Sequence, residues 1–256
     1  MATVVIKFGG ASVKDLSQFD QVSNIVIKKR QEYDRVVVVI SAMANMTDEL
    51  LALAKSVHPN PPVRELDMLL SVGERVSMSL LAMTLAKKNF TAVSFTGSQC
   101  GIITNEEHTD AKIISVVPSR VNKSLAENKI VIVAGFQGVS RAGEITTLGR
   151  GGTDTTAVAL AIALRADLEF YKDVLGIYSA DPKKDCTATL FSQLNYIDAL
   201  KIVEKTETQV LHPRAIRLAE KNHLPLRVTS FEKDCMGTLI TTNNSREDAM
   251  IFELPN

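Results

Sequence analysis

The sequence predicts an α/β protein in which helices cover a mostly parallel sheet. Short runs rich in Val and Ile recur along the chain between Gly, Asn or Pro, which is typical of strands buried on both faces. Stretches with helical spacing lie between these runs, and such alternation is typical of parallel sheets. Strands are predicted at residues 3–8, 35–41, 92–96, 129–134, 167–173 and 225–230. Helices are predicted at residues 48–56, 64–88, 111–127, 154–165, 196–204 and 214–222, with another beginning near Asp15.

Several helical segments carry boundary signals. Thr153 is a hydroxyl candidate for the N-cap of helix 154–165, and His212, which precedes Pro213, is expected to cap or pack at a helix start. Helix 64–88 contains Gly73, and glycine in a helix interior costs about 1 kcal/mol relative to alanine. We therefore expect a role for Gly73 beyond packing.

Composition excludes several classes of protein. The 256 residues include 29 Lys and Arg against 29 Asp and Glu, and this zero net charge argues against a dedicated nucleic-acid binder. The longest aliphatic run, residues 36–40, is far shorter than the roughly 18 residues of a membrane-spanning helix. Three widely spaced cysteines, Cys100, Cys186 and Cys235, disfavour a disulfide framework or a zinc site. These features, with the absence of a signal-peptide pattern at the N-terminus, predict a reduced, cytoplasmic globular protein.

Three glycine-rich segments follow predicted strands. In residues 7–12, Lys7 precedes Gly9 and Gly10, a pattern that suits either a phosphate-binding turn or a tight turn with a surface lysine. Residues 135–138 are expected to form a strand-to-loop turn. Residues 146–157 bring together Arg150 and Asp154 before an alanine-rich helix, which favours an anion-binding loop over a simple capped helix. Neither a Walker A loop nor a complete G-x-G-x-x-G pattern occurs. His58, His108 and His223 are expected to be solvated rather than catalytic.

Five segments resemble, in the same order, the signature segments of the aspartate kinases. They are residues 7–13 (KFGGASV), 71–75 (SVGER), 146–157 (TTLGRGGTDTTA), 176–183 (GIYSADPK) and 210–213 (VLHP). The resemblance covers roughly residues 3–240 and implies the amino-acid kinase fold, a three-layer αβα sandwich with a mostly parallel open sheet. It also implies transfer of the γ-phosphoryl group of MgATP to the β-carboxylate of L-aspartate. The product, 4-phospho-L-aspartate, would serve the lysine, diaminopimelate, threonine and methionine pathways.

The resemblance implies a catalytic role for two residues. Lys7 corresponds to the lysine that neutralises charge on the transferring phosphoryl group, while Gly9 and Gly10 supply backbone donors. Asp154 corresponds to the acid that orients this lysine. Catalysis would consist of positioning and charge neutralisation by Lys7, backbone amides and Mg²⁺, because the attacking carboxylate is already ionised at pH 7.

The resemblance also implies an aspartate-binding set. Its members are Ser41, Thr47, Glu74, Arg150 and Gly151. Glu74 would receive the substrate ammonium and Arg150 would bind a substrate carboxylate, since a zwitterion with an extra carboxylate needs an anion beside its amine and a planar cation beside a carboxylate. The role implied for Gly73 is to let the substrate approach the helix next to Glu74.

The implied nucleotide side departs from the family pattern. Besides Lys7, Gly9 and Gly10, it comprises Lys172, Asp173, Tyr178, Lys183 and Gln209. The family commonly has Thr-Asp where this chain has Lys172 and Asp173, and Lys183 replaces the usual arginine. Gln209 stands where many members have a lysine, so Lys172 is a candidate to supply the missing cation.

The resemblance finally implies a catalytic domain at residues 1–242 and a C-terminal tail at residues 243–256, without an ACT regulatory domain. L-Aspartate and ATP are the implied ligands, no protein ligand to a metal is implied, and the chain is expected to form a homodimer. Two alternatives stay open: a related kinase that acts on another carboxylate, and a catalytically weak aspartate-binding subunit.

Overall fold

A computed structural model describes residues 1–182, 184–205, 210–242 and 250–254. The predictions for Lys183 and Gln209 lie outside these residues. Within them, the strands are β1 Thr3–Phe8, β2 Arg35–Ile40, β3 Ala92–Phe95, β4 Ile102–Thr104, β5 Ile113–Val116, β6 Ile130–Ala134, β7 Gln137–Ser140, β8 Ile145–Thr147, β9 Asp167–Lys172, β10 Gln193–Leu194, β11 Leu226–Ser230 and β12 Thr238–Ile240. The helices are α1 Leu16–Glu32, α2 Met46–Val57, α3 Val63–Leu70, α4 Val72–Lys87, α5 Ser119–Ala126, α6 Gly152–Leu164, α7 Tyr196–Lys205 and α8 Pro213–Lys221, and a 3₁₀ turn covers Gly10–Val13.

The main sheet is the predicted parallel core. Among the described residues it has eight strands in the order β10-β12-β11-β9-β1-β2-β6-β3. The six strands from β11 to β3 pair in parallel, and β12 runs antiparallel to β11. All six strands predicted from the sequence are present, because strands covered on both faces must be apolar at nearly every position.

Helices lie on both faces of this sheet. Val5 of β1 belongs to the core cluster that includes α6 and α8, whereas its neighbours Val4 and Ile6 belong to the cluster that includes α1 and α4. Successive side chains of a strand point to opposite faces, so one strand supplies both cores. The fold is therefore the three-layer αβα sandwich that the resemblance implied.

A second, four-stranded sheet was not predicted. Its order is β5-β4-β7-β8, and its strands are only three or four residues long. The helix predicted over residues 111–127 is wrong in its first half, where β5 forms and Pro118 precedes α5. Proline disfavours helical backbone at the residue before it, which separates the two elements. The turn expected at residues 135–138 is also wrong in part, because β7 begins at Gln137.

The helix predicted over residues 64–88 is two helices that meet at Ser71. The stretch Val63–Lys87 is long and apolar enough to cross a membrane by length and composition alone. Leu81 and Leu85 of α4, however, are fully buried in the core. This stretch is therefore part of the core of the fold.

Candidate active site

The candidate site lies at the carboxyl ends of β1, β2 and β9, where ligands commonly bind to open parallel sheets. Two cavities meet there, with volumes of about 630 Å³ and about 480 Å³. Lys7, Gly10 and Ser41 line both cavities. A group bound in one cavity can thus reach a group bound in the other across Lys7.

Asp154 is the most heavily paired acid of the site. Its Oδ1 lies 2.7 Å from Lys7 Nζ, and Lys172 Nζ lies 3.5 Å from both carboxylate oxygens. The backbone N–H of His212 donates to Asp154 Oδ2 at 3.3 Å. Burial alone would raise the pKa of Asp154, but the charges of Lys172 and Lys7 outweigh it and hold this pKa well below its usual range. Asp154 is therefore a fixed anion.

The same cluster changes the titration of Lys172. Burial lowers the pKa of Lys172 to about 8, with Lys7 acting in the same direction and Asp154 opposing it. Lys172 ends β9 and Lys7 lies on β1, which pairs with β9. The neighbouring strand therefore brings a second lysine to the carboxylate that Lys7 contacts, and the role of Lys172 toward a phosphate stays a prediction.

The loop that leads into α6, the helix that carries Asp154, depends on glycine. Gly151 has φ +71°, and a Cβ there would lie 2.1 Å from Cγ of His212. Helix α6 begins at Gly152 without a side-chain cap, so the expectation that Thr153 is the N-cap is wrong. His212 does act as a cap, because its Nδ1 accepts from the N–H of Arg214 at the start of α8. Only a residue without a side chain lets the loop pass this ring.

The larger cavity gathers all five residues of the implied aspartate-binding set, which are Ser41, Thr47, Glu74, Arg150 and Gly151. Lys7 and Asp154 also line this cavity. The Arg150 guanidinium is exposed, and no ion pair joins it to another residue in the described ranges. A cation is thus free at the mouth of the cavity.

Glu74 is the second acid of this cavity and is only 3% exposed. Its Oε1 accepts from the backbone N–H of Ala42 at 3.1 Å, while its Oε2 is buried without a hydrogen-bond partner within the described part of the chain. Burial raises the pKa of Glu74 to about 7, although the Ala42 N–H and the charge of Lys7 oppose this shift. A buried carboxylate oxygen without a donor is a site for an incoming N–H group.

Gly73 packs closely against the loop after β2, and it is not one of the residues that line the two cavities. A Cβ at Gly73 would lie 2.8 Å from Cβ of Ala42, which itself lines the larger cavity. The implied role of Gly73 in substrate approach stays a prediction. The absence of a side chain lets α4 come close to the loop after β2. This approach brings the Ala42 N–H to the Glu74 carboxylate.

Asp67 was missed by sequence reasoning. It is fully buried on α3, and it accepts hydrogen bonds from the Thr147 hydroxyl at 2.5 Å and from the Thr109 N–H at 3.1 Å. His108 Nδ1 lies 2.7 Å from its other oxygen, so the expectation that His108 is simply solvated is wrong. Thr109 and Thr147 line the larger cavity. No local signal marks Asp67, because its partners lie 41 to 80 residues further along the chain.

The smaller cavity gathers the described residues of the implied nucleotide side. Lys7, Gly9, Gly10, Lys172, Asp173 and Tyr178 all line it, together with apolar side chains that include Ile177 and Val210. Among the described residues, no group of three His, Cys, Asp or Glu side chains could hold a metal ion.

Comparisons with known proteins agree with this architecture. Residues 2–230 match the amino acid kinase family. The aspartokinase of Geobacillus stearothermophilus is 47% identical over 98% of this chain and 62% of its own length, and aspartokinase 2 of Bacillus subtilis is 45% identical over the same shares. The chain thus spans about three fifths of the length of these curated relatives.

Solved structures show the same likeness. The aspartate kinase of Synechocystis superposes with a TM-score of 0.86 at 40% identity, covering 98% of this chain and 41% of that one. Escherichia coli aspartokinase III in complex with aspartate and ADP gives 0.84 at 27% identity, covering 95% and 65%. A UMP kinase from Bacillus anthracis, at 0.68 and 21% identity over 98% of both chains, shares the fold alone.

Proposed function

Because this chain belongs to the amino acid kinase family, we propose that it is the catalytic part of an aspartate kinase. The similarity to aspartokinases over nearly the whole chain supports this proposal. The observation that carries it is one cavity that Glu74, Arg150 and Lys7 line together. Among the described residues, Oε2 of Glu74 is buried without a hydrogen-bond partner. This arrangement offers one anion and one cation to a small zwitterion.

L-Aspartate matches that charge pattern. Its ammonium would donate to Glu74 Oε2, which supplies the counter-charge that a buried carboxylate needs. One of its carboxylates would pair with the Arg150 guanidinium through two parallel hydrogen bonds. Ser41 and Thr47 line the same wall and would donate hydroxyl hydrogen bonds to the substrate. The β-carboxylate would then face Lys7.

ATP would occupy the smaller cavity with its phosphates toward Lys7. The apolar wall suits the base, while Lys7, Lys172 and the backbone of Gly9 and Gly10 suit the phosphates. E. coli aspartokinase III, to which the chain is similar, was solved with aspartate and ADP bound together. Bound Mg²⁺ would supply further positive charge at the phosphates.

Phosphoryl transfer would then need little covalent help from the protein. A β-carboxylate oxygen forms a bond to the γ-phosphorus, the bond to the β–γ bridging oxygen breaks, and ADP leaves with that oxygen. Lys7, fixed by Asp154 at 2.7 Å, stabilises the negative charge during this step. No general base is needed, because the attacking carboxylate carries no proton at neutral pH. A homodimer, a cytoplasmic location and a catalytic domain at residues 1–242 stay predictions from the resemblance.

The proposal predicts ADP release that depends on both L-aspartate and Mg²⁺, with the acyl phosphate trapped as a hydroxamate. N-Acetyl-L-aspartate, which lacks the ammonium, is the matched control and should not support turnover. Turnover with L-glutamate instead of L-aspartate would identify a related carboxylate kinase. Tight aspartate binding in calorimetry without turnover would identify a binding subunit. Either result would overturn the proposal.

A further inference from the structure

We propose that Arg214 and Glu253 form a clamp that positions the Arg150 loop, which borders the larger cavity. The loop, defined as residues 148–152, contains Gly149 and Gly151, both with positive φ, and has little stiffness of its own. Neither Arg214 nor Glu253 lines a cavity of the candidate active site. They are positioning residues, and their kinetic effect rests on the proposed function.

All three guanidinium nitrogens of Arg214 donate hydrogen bonds. On one side, Nε and Nη2 donate to the two carboxylate oxygens of Glu253, with Nη2 at 2.7 Å from Oε2. On the other side, Nη1 donates to the carbonyl of Leu148 and Nη2 donates to the carbonyl of Ala111 at 2.5 Å. Arg214 therefore ties the chain before Arg150 to the chain after Thr109.

Those two stretches form part of the cavity wall. Leu148 lies two residues before Arg150, and Ala111 lies two residues after Thr109. Both Thr109 and Arg150 line the larger cavity. The two stretches are also joined directly, because the Ala111 N–H donates to the Thr147 carbonyl at 2.9 Å. A shift of the Leu148 carbonyl would move Arg150 relative to the cavity wall.

Glu253 is itself held in place by the backbone around it. Its N–H donates to the Ile113 carbonyl at 3.0 Å, and the Ile113 N–H donates back to Glu253 Oε2 at 2.8 Å. Two residues earlier, Ile251 exchanges hydrogen bonds of 2.9 and 2.8 Å with the side-chain amide of Asn222. Residues 250–254 are thus anchored at several points, so the carboxylate has a fixed position against Arg214.

The charge of Glu253 matters because the pair is nearly buried. Side-chain exposure is 14% for Arg214 and 11% for Glu253. The other anion facing the guanidinium, Asp110, lies 3.5 Å from Nη1 and is 67% exposed, so water screens it. Without the Glu253 charge, Arg214 would be drawn toward solvent and would release the Leu148 carbonyl.

The chain offers a matched control on the same helix. Arg217 lies three residues after Arg214 on α8, and its Nη2 lies 2.5 Å from Glu204 Oε1. Both side chains of that pair are about half-exposed, at 59% and 46%, and the hydrogen bonds to the Leu148 and Ala111 carbonyls come from Arg214. Glu204→Gln therefore removes the same chemical group from an Arg–Glu pair without touching the clamp.

The first readout needs no substrate. The Leu148 N–H donates to the Phe136 carbonyl at 2.8 Å and the Gly152 N–H donates to the Gly149 carbonyl at 3.0 Å, so hydrogen exchange of these amides reports opening of the loop. Glu253→Gln should accelerate their exchange about tenfold, the size expected when one hydrogen bond to a charged group is weakened. Glu204→Gln should leave it unchanged. Equal exchange rates of these amides in both variants would overturn the clamp, and this result would not depend on which substrate the protein phosphorylates.

The second readout is kinetic. Glu253→Gln should raise KM for L-aspartate about tenfold and leave KM for ATP within about twofold, because only the Arg150 loop beside the larger cavity loses its support. Arg214→Lys, which keeps the charge but loses the fork, is the second variant should Glu253→Gln fail to fold, and it should act in the same direction. Equal rises in both KM values would overturn the positioning role. Faster loop exchange in a protein without aspartate-dependent turnover would contradict the proposed function and leave the clamp standing.

Discussion

Two buried acids line the same cavity, yet their surroundings drive their pKa values in opposite directions. Asp154 is 6% exposed and lies between two lysines, which hold its pKa low. Glu74 is 3% exposed, accepts a hydrogen bond from the Ala42 N–H, and has its pKa raised to about 7. Burial acts on both carboxyls alike, so the nearby cations make the difference.

The contrast separates two kinds of function. Asp154 is already paired with Lys7 and Lys172, and we propose that it positions both lysines for the phosphoryl group. One oxygen of Glu74 has no hydrogen-bond partner among the described residues, and we propose that a cationic ligand supplies a donor and a counter-charge. Acids and bases in one site commonly take different roles because their environments separate their pKa values.

The largest expected effect comes from Asp154→Asn. The change leaves Lys7 and Lys172 without their shared anion, and we expect kcat to fall about a hundredfold or more, as for other losses of preorganised charge. The control is Glu169→Gln, which breaks another buried acid–lysine pair, Glu169 with Lys29 at 2.9 Å, away from both cavities. Both variants should lose stability, but only Asp154→Asn should lose kcat, as measured by steady-state ADP release. An equal loss of kcat in Glu169→Gln would show that Asp154→Asn acts through lost stability and not through the anion shared by Lys7 and Lys172.

Arg150→Ala should have the next largest effect. Removing the Arg150 guanidinium from the larger cavity should weaken the use of L-aspartate by about 2–4 kcal/mol, the range for one partner of a desolvated charge pair. KM for L-aspartate reports this loss, while KM for ATP should hardly change. Arg141→Ala, in the exposed turn between β7 and β8, is the matched control. Unchanged aspartate kinetics in Arg150→Ala would refute its role.

The smallest effect is the dependence of stability on pH through Glu74. Its pKa is about 7 in the folded protein and 4.5 by reference, so between these pH values the folded state binds more protons than the unfolded state. The free energy of unfolding therefore falls as pH rises through this window, by about 2–3 kcal/mol. Glu74→Gln does not titrate, so its stability relative to the unchanged protein should increase from pH 4.5 to pH 7 and then level off.

Urea unfolding of both proteins at pH 5 and pH 8 measures this difference. Asp154 has the opposite sign, because its low pKa contributes stability above about pH 4 that is lost as pH falls. If the stability difference between Glu74→Gln and the unchanged protein stays constant with pH, the pKa of Glu74 is not raised in the folded protein. Glu74 would then have a counter-charge already.

Most of the main sheet was predictable, because a strand such as β2 has five consecutive apolar residues that only a doubly covered sheet would bury. The second sheet was not predictable, because strands such as β4 and β8 have only three residues each. Strands this short form by pairing with partners elsewhere in the chain. The resemblance named Glu74, Arg150 and Asp154 as site residues, and all three line the larger cavity, while their roles stay predictions. It could not find Asp67, Arg214 or Glu253, whose roles arise from contacts across the fold, nor the packing of Gly73 on Ala42.

We propose that aspartate and nucleotide occupy the two cavities that meet at Lys7. A crystal structure of the protein soaked with ADP and L-aspartate tests it most directly. We predict the aspartate ammonium within hydrogen-bond distance of Glu74 Oε2, a carboxylate on Arg150, and ADP in the smaller cavity with its phosphates near Lys7 and Lys172. Aspartate bound elsewhere, or with its ammonium on another group while Glu74 Oε2 stays without a donor, would contradict the account.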